Sequence, residues 1–468
     1  MKRLLVLAIV VVGLLGLFVC TVQWRIRYDS PETLVKRFRR ARSKDAREEL
    51  AMKLSLSKKD PVTPLLTAFE SAAEDTGFRM DVLELLFKRN LHAPEDRIEE
   101  VLVKSLKDSD VVLRRQAAKW FGTYVMDSSH SAMAECVSDP DPEVRRYAYE
   151  VFASNSYRYR GRWNALVQES EDSKKKLVDK CLEQMTTEEA PELRYLARSI
   201  VGRQIGDLCD DSRERLQSGD IVEAEELLNE ALALDPENHR ARIRLVRHHL
   251  KSGDREKALK LADRYDALLR IPLLSSAPVV DGDPTDQAWQ DVFSSERFYL
   301  TTSAWTAKLA EGKSRFHIGH HGGRIYVTVL GFEDDLDALV VKHILRDSDV
   351  WRDDCVEIYF DPSCTEKEVY QFVINPAGAL RDKFLMDSGF NVECEYAAKV
   401  FKDRGYWACE FAVETSALDE IPVAEDSVWG INIMRARIGI GSEHCQWWPT
   451  FVHAHQYHLF PIAVFEME

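Results

Sequence analysis

The residues best suited to chemistry lie in one stretch, Asp349-Val-Trp-Arg-Asp-Asp-Cys-Val-Glu-Ile-Tyr-Phe-Asp361. Val356, Ile358 and Phe360 share one parity and Cys355, Glu357 and Tyr359 the other, the period of a strand with one face in a core. Trp351 and Asp353 share the parity of Glu357. An early strand start would therefore line an indole and two carboxylates along one exposed face. Asp361-Pro362-Ser363 closes the run with turn chemistry. A second alternating run, 368–376, sets Tyr370, Phe372 and Ile374 against Gln371 and Asn375. Paired strands would bring Trp351, Glu357, Gln371 and Asn375 into one polar-aromatic platform. Such a face suits a sugar ring, whose C–H groups stack on the indole while its hydroxyls meet carboxylate and amide.

The same residues do not suit hydrolysis. Asp353 and Glu357 would stand about 13 Å apart along a strand, beyond the carboxylate separation that glycoside cleavage uses. Carboxylates so placed bind hydroxyls or a structural calcium. The chain carries no nucleophile elbow, P-loop or H-E-x-x-H. It reads as a non-enzyme with no cofactor beyond that calcium. Two histidine groups, His317/His320/His321 and His453/His455/His458, have spacings that let strand residues converge on an ion, though no carboxylate or cysteine is placed beside them. The metal question stays open at this point.

Several ordered motifs resemble the family 9 carbohydrate-binding module, a DOMON-like β-sandwich. Trp-x-x-Asp-x-Val-Glu-Ile-x-x-Asp (351–361) and Gln-Phe-x-x-Asn (371–375) are two of them. Val280-Asp-Gly-Asp-x-x-Asp-x-x-Trp289 resembles the family's opening segment. Gly405-Tyr-Trp through Glu410-Phe-Ala-Val413 and Gly430-Ile-Asn432-x-x-Arg435 are similar to two further strands. The resemblance covers about residues 275–468. It implies a ligand clamped between two tryptophans, with Trp351 as the first and Glu357, Gln371, Asn375 and Arg435 supplying polar contacts. The second clamp should precede the last strand, where His453 and His455 stand, with Trp447 and Trp448 upstream. Trp448 and His455 are thus the candidates for it. Where such members carry an arginine two residues after the glutamine, this chain has Val373. Some DOMON relatives hold haem through Met and His, and Met434 lies in a matching strand, which makes haem-based electron transfer an alternative reading. Trp289, Trp305, Trp407 and Trp429 read as core.

These strands need a scaffold. The 468 residues suffice for two to four domains. A net charge of −15 argues against a nucleic-acid partner. Nine dispersed cysteines without a C-x-x-C exclude a recognisable zinc or redox motif, although those at 355, 364, 394, 409 and 445 leave room for a disulfide. Leu4–Val22 is an uncharged run long enough to cross a membrane as a helix, so residues 1–24 are expected to form an uncleaved signal anchor. Flanking positive charge is heavier on the C-terminal side, but a sugar-binding module favours export, and the bulk is assigned to the extracytoplasmic side.

Residues 30–204 carry a helical pattern. Asp110-x-x-Leu-Arg114-x-x-Ala117 recurs as Asp141-x-x-Val-Arg145-x-x-Ala148, and again in part as Leu193-Arg194-x-x-Ala197. This resembles HEAT-like repeats, in which the small alanine allows close packing and the arginine ties neighbouring loops. Residues 205–270 repeat more cleanly. Gly219-Asp-x-x-x-Ala224-x-x-Leu227 returns as Gly253-Asp-x-x-x-Ala258-x-x-Leu261, the tetratricopeptide spacing. Ile271–Pro278 reads as the linker where helical periodicity stops.

The fold class expected is therefore multidomain α + β: an N-terminal α-helical repeat superhelix followed by an antiparallel β-sandwich over 275–468. The function expected is non-catalytic glycan binding by a membrane-anchored surface protein. The alternative is a protein-interaction scaffold working through its helical repeats.

Overall fold

The computed structural model describes residues 29–467, except 58, 73, 89–94, 124–128, 154–161, 291, 302–304, 386, 388, 420–422 and 452–453. The expected anchor, 1–24, lies outside the described residues. Among those described, no helix is long and apolar enough to cross a membrane. The chain divides into two compact units, 1–152 with 157–180, and 153–156 with 181–468.

The first unit is helical. Its opening helices, Pro31–Arg40 and Lys44–Ser55, are each capped by a serine: Ser30 accepts from the Thr33 amide and Ser43 from the Ala46 amide. The repeated pattern has a clear structural cause. Ala117 and Ala148 are fully buried on helices Val111–Thr123 and Pro142–Ala153. Asp141 accepts from the Glu143 and Val144 amides and so caps its helix. Arg114 reaches the Asp139 carboxylate of the next loop at 2.8 Å and the Asp108 carbonyl at 2.8 Å. The arginine does tie neighbouring loops together.

Past the end of helix Glu171–Thr187, the second unit continues through α1 (Pro191–Ser218), α2 (Ile221–Leu234), α3 (His239–Lys251) and α4 (Arg255–Arg264). The twice-repeated Gly-Asp is a stop and a start. Gly219 and Gly253 take φ of +88° and +86°, a conformation that L side chains resist. Asp220 and Asp254 then cap the next helix by accepting from the Glu223 and Lys257 amides. Ala224 and Ala258 are fully buried at the crossings. In the turn between repeats, Asp235 receives a bidentate Arg198 at 2.8 Å on both arms.

Among the described residues, thirteen strands follow. They are β1 (Leu268–Ile271), β2 (Ser294–Ser295), β3 (Tyr299–Leu300), β4 (Ser314–His321), β5 (Arg324–Phe332), β6 (Cys355–Asp361) and β7 (Tyr370–Ile374). The rest are β8 (Leu380–Phe384), β9 (Cys394–Phe401), β10 (Tyr406–Glu414), β11 (Val428–Arg437), β12 (Glu443–Gln446) and β13 (Ile462–Phe465). One sheet runs β1-β13-β11-β6-β7-β8, with β12 on β11 and β3 on β12; the other runs β2-β4-β5-β10-β9. The two alternating runs do pair, Glu357 opposite Val373 and Tyr359 opposite Gln371. A tight turn at Gly322-Gly323 joins β4 to β5 as an antiparallel hairpin.

Between the sheets lies an aromatic core built on Phe316, Ile358, Phe360, Phe372, Trp407, Phe411 and Trp429. Phe372 and Phe411 pack at a tilt of 43° with centroids 4.5 Å apart. Three details depart from expectation. The sheet is not wholly antiparallel, because β1 lies parallel to β13. The described cysteines are all free thiols. Trp305 is not a core residue but half-buried against α1, its indole facing the guanidiniums of Arg203 and Arg240 at 5.7 and 5.3 Å.

The tetratricopeptide-like helices pack directly on the sandwich. Ile243, Val246, Ala258 and Ala262 share a cluster with Val428, Trp448, Phe451 and Leu459. At its edge Arg247, 1 % exposed, meets the fully buried Asp361 at 3.2 Å and donates to the Phe460 carbonyl at 2.9 Å. Gly430 makes room for the guanidinium: a Cβ there would fall 2.5 Å from Nη2. Breaking one half of such a pair strands a buried charge. Asp361→Ala is expected to destabilise this unit by about 3–5 kcal/mol, read as an earlier transition in denaturant unfolding. A change under about 1 kcal/mol would show that the pair contributes nothing net.

Candidate functional site

Alternation in β6, β7 and β8 sends Phe360, Phe372 and Leu380 inward and Glu357, Tyr359, Gln371, Val373, Arg381 and Lys383 to the outer face. On that face three polar groups converge. The Tyr359 hydroxyl donates to Glu357 Oε2 at 2.6 Å, and the Gln371 amide donates to the same oxygen at 2.7 Å and to the Tyr359 oxygen at 2.8 Å. Tyr359 is fully buried and Gln371 7 % exposed, while Glu357 is half-buried and reaches the surface. Burial, then the Glu357 charge, pushes the Tyr359 phenol well above its ordinary range. It therefore stays a donor, and Glu357 keeps free acceptor capacity toward solvent.

The surroundings are aromatic and basic. The loop before β13 lays His455 and Tyr457 over Tyr359, with ring centroids 6.2 and 6.4 Å away, and Phe460 at 5.5 Å. Burial, then the neighbouring Arg381, pulls the Lys383 ammonium down. Arg381 holds Asp349 at 3.0 Å. Next to Asp349, Trp351 sits in the 3-10 turn Val350–Arg352, which packs against β6 and β7. At 44 % exposure its indole carries the Arg352 guanidinium over it, at 4.8 Å.

Not every predicted residue belongs to this face. Trp351 is exposed, but the strand starts at Cys355, so Asp353 does not extend an exposed row. Asp353 and its neighbour Asp354 are buried loop anchors. Asp353 accepts from the Lys342 and His343 amides at 2.9 and 2.8 Å and from Asn375 at 3.0 Å, and meets His343 Nδ1 at 2.9 Å. Asp354 accepts from Val340, Ile438 and Gly439. Asn375 is fully buried and bonds the His343 carbonyl and the Ala377 and Ala379 amides. Arg435 points the other way, between the sheets, where it pairs with Glu333 and donates to the Lys313 carbonyl. Trp448 is buried beside His239, centroids 5.1 Å apart, and Trp447 lies in the core. Neither faces Trp351 as a second clamp. His455, exposed on the loop, stays on the face.

The remaining motifs also resolve into structure. Glu410 accepts from the Trp289 indole at 2.9 Å and from the Asp281 and Gly282 amides, so the opening segment is pinned to β10. Met434 packs in an apolar cluster with Tyr359 and Phe460. The hairpin histidines do not converge: His317 lies on Trp289, while His320 and His321 bond the carbonyls of Glu466 and Leu274. His453 lies outside the described residues. His458 is driven down to about 2, first by burial and then by Arg244, Arg240, Arg213 and Arg247. Sequence reasoning missed Tyr359, Tyr457 and Lys383 as members of the face. The parity of Tyr359 was visible; its bond to Gln371 required the β6–β7 register.

The tetratricopeptide repeat family model matches residues 215–269. Comparison with curated proteins gives no match. Similar solved structures include a Bacteroides uniformis protein proposed to bind carbohydrate, at 15% identity over 42% of this chain and 99% of that one, TM-score 0.34. Two others are of a family 9 carbohydrate-binding module from Caldicellulosiruptor kristjanssonii. The complex with cellotriose gives 13% identity over 43% and 94% of the two chains, and the complex with glucose 15% over 42% and 96%, both with TM-score 0.33.

The loop anchors give a pH signature. Burial raises Asp353, but the His343 amide and imidazole, Asn375 and the Lys342 amide outweigh it, and its carboxyl sits below the ordinary value of 3.8. A depressed folded-state value adds stability above the unfolded pKa and loses it as pH falls through the folded one. Wild-type stability is expected to decline as pH drops below about 4, and Asp353→Asn to decline less steeply. Parallel acid limbs in the two proteins would contradict this.

Proposed function

We propose that the outer face of the first sheet binds carbohydrate without catalysis, on a protein held to a membrane by residues 1–24 with its bulk outside the cytoplasm. The observation that carries this reading is the mutually bonded Glu357, Tyr359 and Gln371 on a half-open face, with the exposed Trp351 indole beside the same strands. Bonding among the three fixes the direction of each dipole before a ligand arrives, which lowers the ordering cost of binding. Glu357 then offers a charged acceptor to sugar hydroxyls, Lys383 and Gln371 flank it, and Trp351 offers a flat apolar surface to ring C–H groups. His455 and Tyr457 take the place of a second tryptophan on the loop side. The motif resemblance over 275–468 points to the same ligand class. No nucleic-acid partner or resident cofactor enters this reading.

A second role, protein binding through the helical repeats, is favoured by the tetratricopeptide match. The α3 and α4 side that packs on the sandwich is already occupied, so a protein partner would use the remaining helix faces.

Titration calorimetry of the full chain with glucose and cellotriose tests the sugar reading. Heat is expected from the wild type. Trp351→Ala should cost about 1–3 kcal/mol of binding with Tm unchanged, and Glu357→Gln should weaken binding as a charged acceptor becomes neutral. No heat from the wild type with either sugar, or equal affinity in both variants, would remove this face as the site.

A further inference from the structure

We propose a second binding site, remote from the sheet face, in which Glu225, His248 and His249 hold a divalent transition-metal ion of the zinc class on the tetratricopeptide-like helices. Glu225 lies on α2, and the two histidines lie in the last turn of α3. His249 Nε2 is 3.5 Å from Glu225 Oε1 and His248 Nε2 is 3.9 Å from Oε2, and all three ligand atoms fall within 4.8 Å of one another. Two ligands on one tetrahedral zinc stand ~3.3–3.5 Å apart. The carboxylate is thus at ligand spacing from one imidazole and within a small side-chain rotation of the other.

A second observation points to a ligand. His248 and His249 are each only 3 % exposed, yet both ring nitrogens of His248 and Nε2 of His249 are buried without a hydrogen-bond partner. Buried imidazole nitrogens are normally satisfied, because an unmet polar atom away from water keeps its full desolvation cost. A cation would take the lone pair of one nitrogen in each neutral ring, while the other nitrogen of His248 keeps its N–H. Burial, the largest influence on each ring, favours the neutral form that ligates metal. Two histidines and one carboxylate leave an open position for water or a partner's side chain.

Two cations oppose an ion here: Arg244, one turn before His248 on α3, and Lys257 on α4, whose Nζ lies 2.8 Å from Glu225 Oε1 and whose side chain is 45 % exposed. Lys257 competes with an ion for the same oxygen and can swing into solvent when the ion enters. That rivalry gives the proposal a sign no packing role shares: removing Lys257 should tighten metal binding.

Chelator-stripped full chain, titrated with zinc chloride against a chromophoric competitor, tests this. One equivalent should bind, weakened about tenfold or more in Glu225→Gln and in His248→Gln, each checked for fold by circular dichroism. Lys257→Gln, with all three ligands intact, should bind a few-fold tighter. Zinc affinity unchanged in Glu225→Gln and His248→Gln, or unchanged or weaker in Lys257→Gln, would overturn the site. None of these outcomes depends on whether the sheet face binds sugar.

Discussion

A guanidinium buried between a helix and a sheet holds the second unit together. Arg247 spends one arm on Asp361 at the end of β6 and another on the Phe460 carbonyl just before β13. A charge so deep is tolerable only if its partners stay in place, and both partners belong to the sandwich. The helix pair is therefore not a module strung on a linker. Its apolar side shares a cluster with Val428, Trp448 and Leu459, and the chain leaves α4 almost directly into β1 against β13. The stretch read as a linker continues this contact, since the Leu274 amide bonds the His320 carbonyl.

Much of this was legible. Period-2 alternation located β6 and β7, whose inward residues are core. The repeated Gly-Asp announced helix ends, because a left-handed residue followed by a capping carboxylate is a local device that needs no tertiary context. The Arg114–Asp139 tie followed from the repeat as well. Long-range geometry was not legible. Asp353 and Asn375 share parity with the outer face, but each meets a loop, 342–343 for Asp353 and 377–379 for Asn375, whose position no alternation encodes. Trp448 looked like a ligand platform and instead packs beside His239, more than two hundred residues away in sequence.

The buried motif residues follow a rule. Asp353, Asn375, Glu410 and Arg435 carry the motifs by which the sandwich is recognised, and each is buried and bonded within the protein. Such bonds are all-or-none, because losing one partner leaves the other unsatisfied in low dielectric. An exposed group such as Trp351 pays no such penalty when changed. The motif signal therefore speaks for the fold more strongly than for the ligand. Evidence for binding has to come from groups that are ordered yet open, such as Glu357 on the sheet and Trp351 in the turn before it.

The two halves of the second unit then meet at one loop. Residues 454–460 set His455 and Tyr457 over Tyr359, and the same loop ends at Phe460, whose carbonyl takes the Arg247 Nε–H. Leu459 of that turn packs among the α3 and α4 side chains. The wall on one side of the Glu357 face is thus anchored by a helix rather than by the sheet. An isolated sandwich would keep β6 and β7 but lose the anchor of that wall. The helical pair is in this sense part of the face, even though none of its side chains lies on it.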